Sequence, residues 1–406
     1  MIIKKYEDNK YYLDSIHNFI NLCIPSQVLQ KASYADLEAV RLDAEYKFLP
    51  NKNSLRRILV LTDSICSLRI DGKEINHKEV FSREFSLLYP GISDNHKFKV
   101  LGLSKSNNLA TEAVNLANLY HWYHKKICQS GEFTLDDYIK VYERMCEDNN
   151  IEFKLRDSAA TPMPFGEGYF YPPSPDEIVP LLKELFDFCN SKLFPPTILA
   201  GLAHFYLELI QPFPWAADRM GRLLAHGIYT KHNMWNYFIF PIGVLPAIST
   251  KLHAFSLKPY LTNDNFDAKN LTSLIFEWIC YCTDAMKVAS HFLKIYNNKL
   301  SSIHNKWHKI LGDVREDAAI KQVLSLMPTN PIFNLNFLVE QTGKSYNAIN
   351  NAVNELLSNS IISQVTTGNR NRIYISKDVI DFLEWMENQT FPKYVSPRNA
   401  YYKLIK

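Results

Sequence analysis

The sequence has no apolar run long enough to span a bilayer, no Cys-x-x-Cys pair, and almost no excess of charge of either sign. A membrane helix needs about 20 consecutive apolar residues, and the chain opens instead into Lys4-Lys5-Tyr6-Glu7-Asp8. The expected place is the cytoplasm, with no membrane partner. The 7 cysteines (Cys23, Cys66, Cys128, Cys146, Cys189, Cys280, Cys282) are odd in number and lack metal-ligand spacing. They read as reduced thiols, and no metal site is expected. With 45 basic and 42 acidic residues the net charge is +3, so no overall field draws the chain to nucleic acid or to an acidic substrate. Glycine (13) and proline (20) are too few among 406 residues for a fibrous or low-complexity chain. What is present is 47% hydrophobic residues, enough for a folded protein of two or three domains.

The apolar spacing predicts a mainly helical fold. Tyr11 to Lys47 reads as amphipathic helix broken at Pro25, and Leu55 to Leu68 as a second helix closing at Asp71-Gly72. A long apolar repeat opens the main domain near Asn107. Residues 152–173 carry Pro162, Pro164, Gly166, Gly168, Pro172 and Pro173 among aromatics and read as a loop or short hairpin. Ser174-Pro175-Asp176-Glu177 is a helix start, with a cap, a proline at the first helical position and a capping-box glutamate. Thr197 to Ile210 is apolar on all sides, as a helix enclosed by others would be. Another helix is expected from Leu271 to Leu300. Past Pro328 the order is a short helix (335–341), a helix capped by Ser345, and a hairpin of 361–366 with 373–375. The expected domains are 1–106, 107–300, a helical connector 301–327, 328–385 and a tail 386–406.

The chemistry is concentrated in Gln211-Pro212-Phe213-Pro214-Trp215-Ala216-Ala217-Asp218-Arg219-Met220-Gly221-Arg222, preceded by Ala203-His204-Phe205-Tyr206-Leu207-Glu208-Leu209-Ile210. This segment resembles the Fic family, whose motif reads HPFx(D/E)GNGRxxR, and it aligns without a gap. The resemblance implies a Fic/Fido helical bundle with a short β-hairpin flap at 153–173, where a protein partner would dock, and a C-terminal winged helix-turn-helix domain. It also implies, position by position, what has changed. Gln211 stands where the family has its catalytic histidine, and an amide cannot accept a proton as imidazole does. Trp215 stands where an acidic residue holds magnesium, and indole offers no oxygen ligand. Ala216, Ala217 and Asp218 replace the glycine-rich turn that closes on the nucleotide phosphates, with Asp218 expected to cap its own helix. No catalytic residue is therefore assigned. No cofactor is expected, and ATP with magnesium enters only if the family activity is retained.

Arg219 and Arg222 survive at a spacing of three, with His226 four further on. They either pair with carboxylates or hold an anion. His204 reads as a core histidine. Ser67, Asp71 and Gly72 resemble the family's inhibitory helix, (S/T)xxxE(G/N), and also fit a plain helix C-terminal turn. In the C-terminal module Ser345, Asn347, Asn350, Asn351, Arg370 and Arg372 are the candidates for contact with DNA, through residues 335–375, while protein contact by the same fold stays open. The functional expectation is a binding or regulatory module without AMP transfer. The alternatives are an enzyme using ATP or another phosphorylated donor, and a DNA-binding regulator.

Overall fold

The computed structural model describes residues 2–49, 51–88, 108–249, 266–312, 315, 318–366 and 372–391. The elements run β1 (Ile3–Lys5), β2 (Lys10–Leu13), α1 (Ser26–Tyr46), α2 (Lys52–Ile70), α3 (His77–Leu88), α4 (Asn108–Ser130) and α5 (Leu135–Asp148). Then follow β3 (Met163–Phe165), β4 (Gly168–Tyr171), α6 (Pro175–Cys189), α7 (Pro196–Ile210), α8 (Ala217–Lys231), α9 (Val244–Ser249) and α10 (Leu271–Leu311). The chain continues with α11 (Ala319–Leu326), β5 (Ile332–Asn334), α12 (Leu335–Thr342), α13 (Tyr346–Ser358), β6 (Ser363–Gln364), β7 (Ile373–Ile375) and α14 (Lys377–Thr390). The protein is mostly helical with small sheets, as expected.

The described residues fall into two compact units, one holding the chain up to Glu45 with Asn118–Ser290, the other Tyr46–Ala117 with His291–Val395. In the first unit α7 is the central element: every residue from Thr197 to Ile210 is buried except Glu208. α10 packs on Gly201, whose carbonyl accepts a hydrogen bond from Trp278 Nε1 at 2.9 Å. The start of α7 is capped from α1: Asp36 Oδ1 accepts from the Thr197 hydroxyl at 2.5 Å. Burial raises the Asp36 carboxyl to about 6, with the Thr197 hydrogen bonds opposing the shift.

The reading of Tyr11 onward as helix is corrected. Lys10–Leu13 is a strand, followed by a 3-10 turn at Ile16–Asn21, and only from Ser26 is the segment α-helical. The reason lies far along the chain. β2 pairs in parallel with β4 and antiparallel with β1, and β3 closes the sheet in the order β1-β2-β4-β3. The hairpin at 163–171 is thus half of a four-stranded sheet. Gly168 is required there, since a Cβ on it would lie 1.9 Å from the Asn9 carbonyl oxygen.

In the second unit, α2, α3 and α14 are joined by a polar set in which His77 is buried and Arg69 and Glu387 are half-buried. His77 Nδ1 donates to Glu387 Oε2 at 2.8 Å, and Arg69 pairs with the other oxygen of Glu387. Burial pushes the Glu387 carboxyl up, but His77 and Arg69 outweigh it and hold the group below the usual carboxylate range. The C-terminal elements form a three-stranded sheet, order β5-β7-β6, with α12 and α13 in the expected helix, helix, hairpin order. Ser345 caps α13 by accepting from Ala348 N–H at 3.3 Å. Residues 367–371, between β6 and β7 in sequence, lie outside the described residues, Arg370 among them.

Candidate functional site

The motif loop joins α7 to α8 and turns at both ends through left-handed backbone. Gln211 closes α7 with φ +53, and Ala216 opens α8 with φ +56. Only glycine takes such angles without steric cost, so the loop keeps a shape that its own residues do not favour. The expected cap is corrected here. Ala216, not Asp218, is the N-cap residue of α8, and its side chain makes no capping hydrogen bond. Asp218 falls in the first turn, where a carboxylate is favoured by the exposed N–H groups and the partial positive charge of the helix start.

Three further facts define the chemistry of the loop. Gln211 Nε2 points to Met163 of β3 and donates to its Sδ at 3.5 Å, so the amide is turned against the inner face of the hairpin. The Arg219 guanidinium carbon sits 5.4 Å from the ring centre of Trp215, within cation–π range. Trp215 therefore brings an aromatic face, not an oxygen ligand, to its position. Arg219 and Arg222 are buried, at 2% and 6% exposure, and His226 with them lies between the rings of Tyr120 and Trp235 at 5.2 and 5.7 Å. Among the described residues no three His, Cys, Asp or Glu side chains stand together in a way that could hold a metal ion.

Asp218, Arg222 and His204 share a cavity of about 50 Å³ with Tyr229, Trp278 and Tyr281. That volume admits a few waters or a compact ligand group. His204 is buried as expected, wedged between the edge of Trp278 at 5.1 Å and the Cα of Gly221. A Cβ on Gly221 would lie 2.0 Å from His204 Nε2. Glu208 Oε1 lies 3.6 Å from that nitrogen.

Arg156, which sequence reasoning passed over, ties the site together. Its guanidinium donates to the carbonyls of Gln211 (2.9 Å), Ile210 (3.2 Å), Pro173 (2.6 Å) and Ser158 (2.8 Å), and its backbone N–H donates to Pro212 O at 2.9 Å. The carbonyls at the end of α7 have no partner within the helix, and a fixed planar cation supplies one while joining the segments on both sides of the hairpin. Nothing in the local sequence marks an arginine for this, because all its partners are backbone oxygens and most are far away in sequence.

The remaining candidates lie in the second unit. Ser67 is buried inside α2, and Asp71 with Gly72 (φ +78) forms the turn that ends it. On α13 Ser345, Asn347 and Asn351 are exposed, Asn350 is half-buried, and Arg372 is half-buried at the start of β7. Ile349, Ala352, Val353 and Leu356 are buried beneath them, as the spacing requires.

Residues 132–229, over α5 to α8, match the model of the Fic/DOC family. Similar solved structures include a Fic family protein from Desulfovibrio desulfuricans G20, with 16% identity, covering 86% of this chain and 96% of that one, TM-score 0.46. Another is a fragment of Fic-1 from C. elegans, with 19% identity, covering 62% of this chain and 72% of that one, TM-score 0.40. No curated protein matches. No helix among the described residues is long and apolar enough to cross a membrane.

Proposed function

We propose that this protein uses a Fic-type domain as a binding or regulatory module and does not transfer AMP by the family's mechanism. The observation that carries this reading is the content of the motif loop: an amide turned onto Met163 at 3.5 Å and an indole under Arg219. General base, metal ligand and phosphate cradle are separate parts of nucleotidyl transfer, each contributing on its own. Their simultaneous replacement by Gln211, Trp215 and Ala216-Ala217-Asp218 leaves Arg219 and Arg222 as the cationic residues of the motif. In this reading neither ATP nor magnesium is a resident cofactor. A protein partner would dock at the hairpin of residues 153–173. The helix, helix, hairpin module of the second unit is read as a winged helix. Its exposed Ser345, Asn347 and Asn351 favour a second reading in which that module contacts DNA.

The test is incubation with radiolabelled ATP and magnesium, alone and with a cell lysate. The expected result is no label on the protein or on any target. Label that appears with the native chain and vanishes on Arg219→Ala or Arg222→Ala would overturn the proposal. For the second reading, duplex binding should fall steeply with salt and weaken on Arg372→Ala; binding indifferent to both removes it.

A further inference from the structure

The end of α4 holds a cysteine and a histidine that neither the motif loop nor the C-terminal module uses. His124 is buried at 3% exposure, while Cys128, one turn further along α4, is exposed. Residues four apart on a helix are neighbours on one face, and the Cys128 Sγ lies 3.6 Å from His124 Nε2. Of the 7 cysteines only Cys23 is likewise exposed.

The protonation of the ring follows from what surrounds it. The Thr230 hydroxyl donates to the His226 carbonyl at 2.8 Å and accepts from Trp235 Nε1 at 3.2 Å. With its proton so engaged, the hydroxyl can only accept from His124 Nδ1, 3.1 Å away. Across the ring the Asn236 carbonyl, which also only accepts, stands 3.3 Å from Nε2. Both nitrogens are therefore placed to donate, which describes an imidazolium. A buried positive charge needs an anion beside it. The Cys128 sulfur touches the same Nε2 and becomes that anion on losing its proton.

The charged and titratable groups on the surrounding elements are Lys125 and Lys126 on α4, Glu132 just after it, His226 and Lys231 on α8, and Asp43 on α1. Lys231 donates to the Gly131 carbonyl at 2.7 Å. The Asp43 carboxylate accepts from the N–H groups of Asn236, Tyr237 and Phe238 at 2.9, 3.1 and 2.9 Å, so its charge is already held by three donors. The carbonyl end of α4 disfavours a negative charge on Cys128, which leaves the contact with His124 to decide its state.

We propose that Cys128 is a thiol modification site, a thiolate held by the His124 imidazolium that forms mixed disulfides with small disulfides such as oxidised glutathione. In the exchange the Cys128 sulfur attacks one sulfur of the small disulfide and bonds to it. The original S–S bond breaks, and the displaced thiolate takes a proton from water. One disulfide is consumed and one is formed, so no further oxidant or reductant enters. A thiolate beside a cationic imidazole is the reactive form of cysteine, and the exposure of Cys128 admits the small disulfide. The inference does not depend on the state of the motif loop.

The test incubates the full chain with oxidised glutathione from about pH 6 to about pH 9 and follows its incorporation at Cys128 and Cys23 by peptide mass spectrometry. Cys23, exposed like Cys128, is the internal reference. Near pH 6, where an ordinary thiol is almost wholly protonated, Cys128 should react about tenfold faster than Cys23. Near pH 9 the order should reverse, because a stabilised thiolate is the weaker nucleophile. His124→Asn should bring the ratio at the lower pH to unity or below, while Lys125→Gln should leave it within about twofold. Thermal melting checks that each variant is folded, and the crossing of the two native profiles needs no variant at all. Parallel profiles for Cys128 and Cys23, an unchanged ratio in folded His124→Asn, or an equal loss through Lys125→Gln would each overturn the proposal.

Discussion

Helices α6 and α8 begin in the same unit, each after a loop, and their first turns are built in opposite ways. At α6 the Glu177 carboxylate reaches back to the Ser174 N–H and hydroxyl, both at 2.7 Å, and Pro175 supplies the first helical residue. At α8 an alanine sits in left-handed backbone with no side-chain cap. The first start follows local preference throughout; the second runs against it at the place where the motif lies. Backbone held in a sparsely populated region persists only where the surroundings enforce it. Here they do so through Arg156, which holds the carbonyls of Ile210 and Gln211, and through Gly221 packed on His204. Helix α7 stands between the two cases, capped by the distant Asp36.

Four changes would break or sharpen this contrast. The largest concerns the remote cap. The folded Asp36 carboxyl sits at about 6, against an ordinary value of 3.8, so between these the folded chain binds the extra proton. Its stabilising contribution is complete below about pH 4 and is lost as pH rises to 6, a swing of about 3 kcal/mol. Urea unfolding across that range should show the fall, and Asp36→Asn should flatten it; an unchanged profile would mean the carboxyl is not buried as described. Next, Gly221→Ala should cost about 2 kcal/mol by forcing its methyl onto the His204 ring, despite alanine's better helix propensity. A gain in melting temperature would show that the ring yields. Third, Glu177→Ala should cost about 1 kcal/mol in chemical denaturation, the ordinary worth of such a cap. The smallest effect has the opposite sign: Ala216→Gly should add about 0.5 to 1 kcal/mol by relieving the positive φ. A loss there would place the strain elsewhere.

The same contrast explains what could be read from the sequence. The start of α6 was legible because every participant lies within four residues. The burial of α7 was legible from apolar residues on all sides, and α13 from its spacing beneath Ser345 and the asparagines. Strand β2 was not, because the partner that makes Lys10–Leu13 extended is β4, more than 150 residues away, and the local spacing suited a helix. The start of α8 was misassigned because an aspartate is a common cap and an alanine almost never is; only the backbone angle at Ala216 reveals the turn. The motif residues themselves were aligned from sequence, yet the orientation of Gln211 toward Met163 and the seat of Trp215 under Arg219 depend on tertiary packing. Arg156 left no signal, since carbonyl oxygens are the same in every residue.

The account rests on the claim that this loop has no productive place for a metal-bound triphosphate. Crystals soaked with ATP and magnesium test it most directly. The account predicts no ordered nucleotide beside Arg219 and Arg222, or at most an isolated anion against their guanidinium groups. A bound ATP with its α-phosphorus open toward the hairpin of residues 163–171 would contradict it.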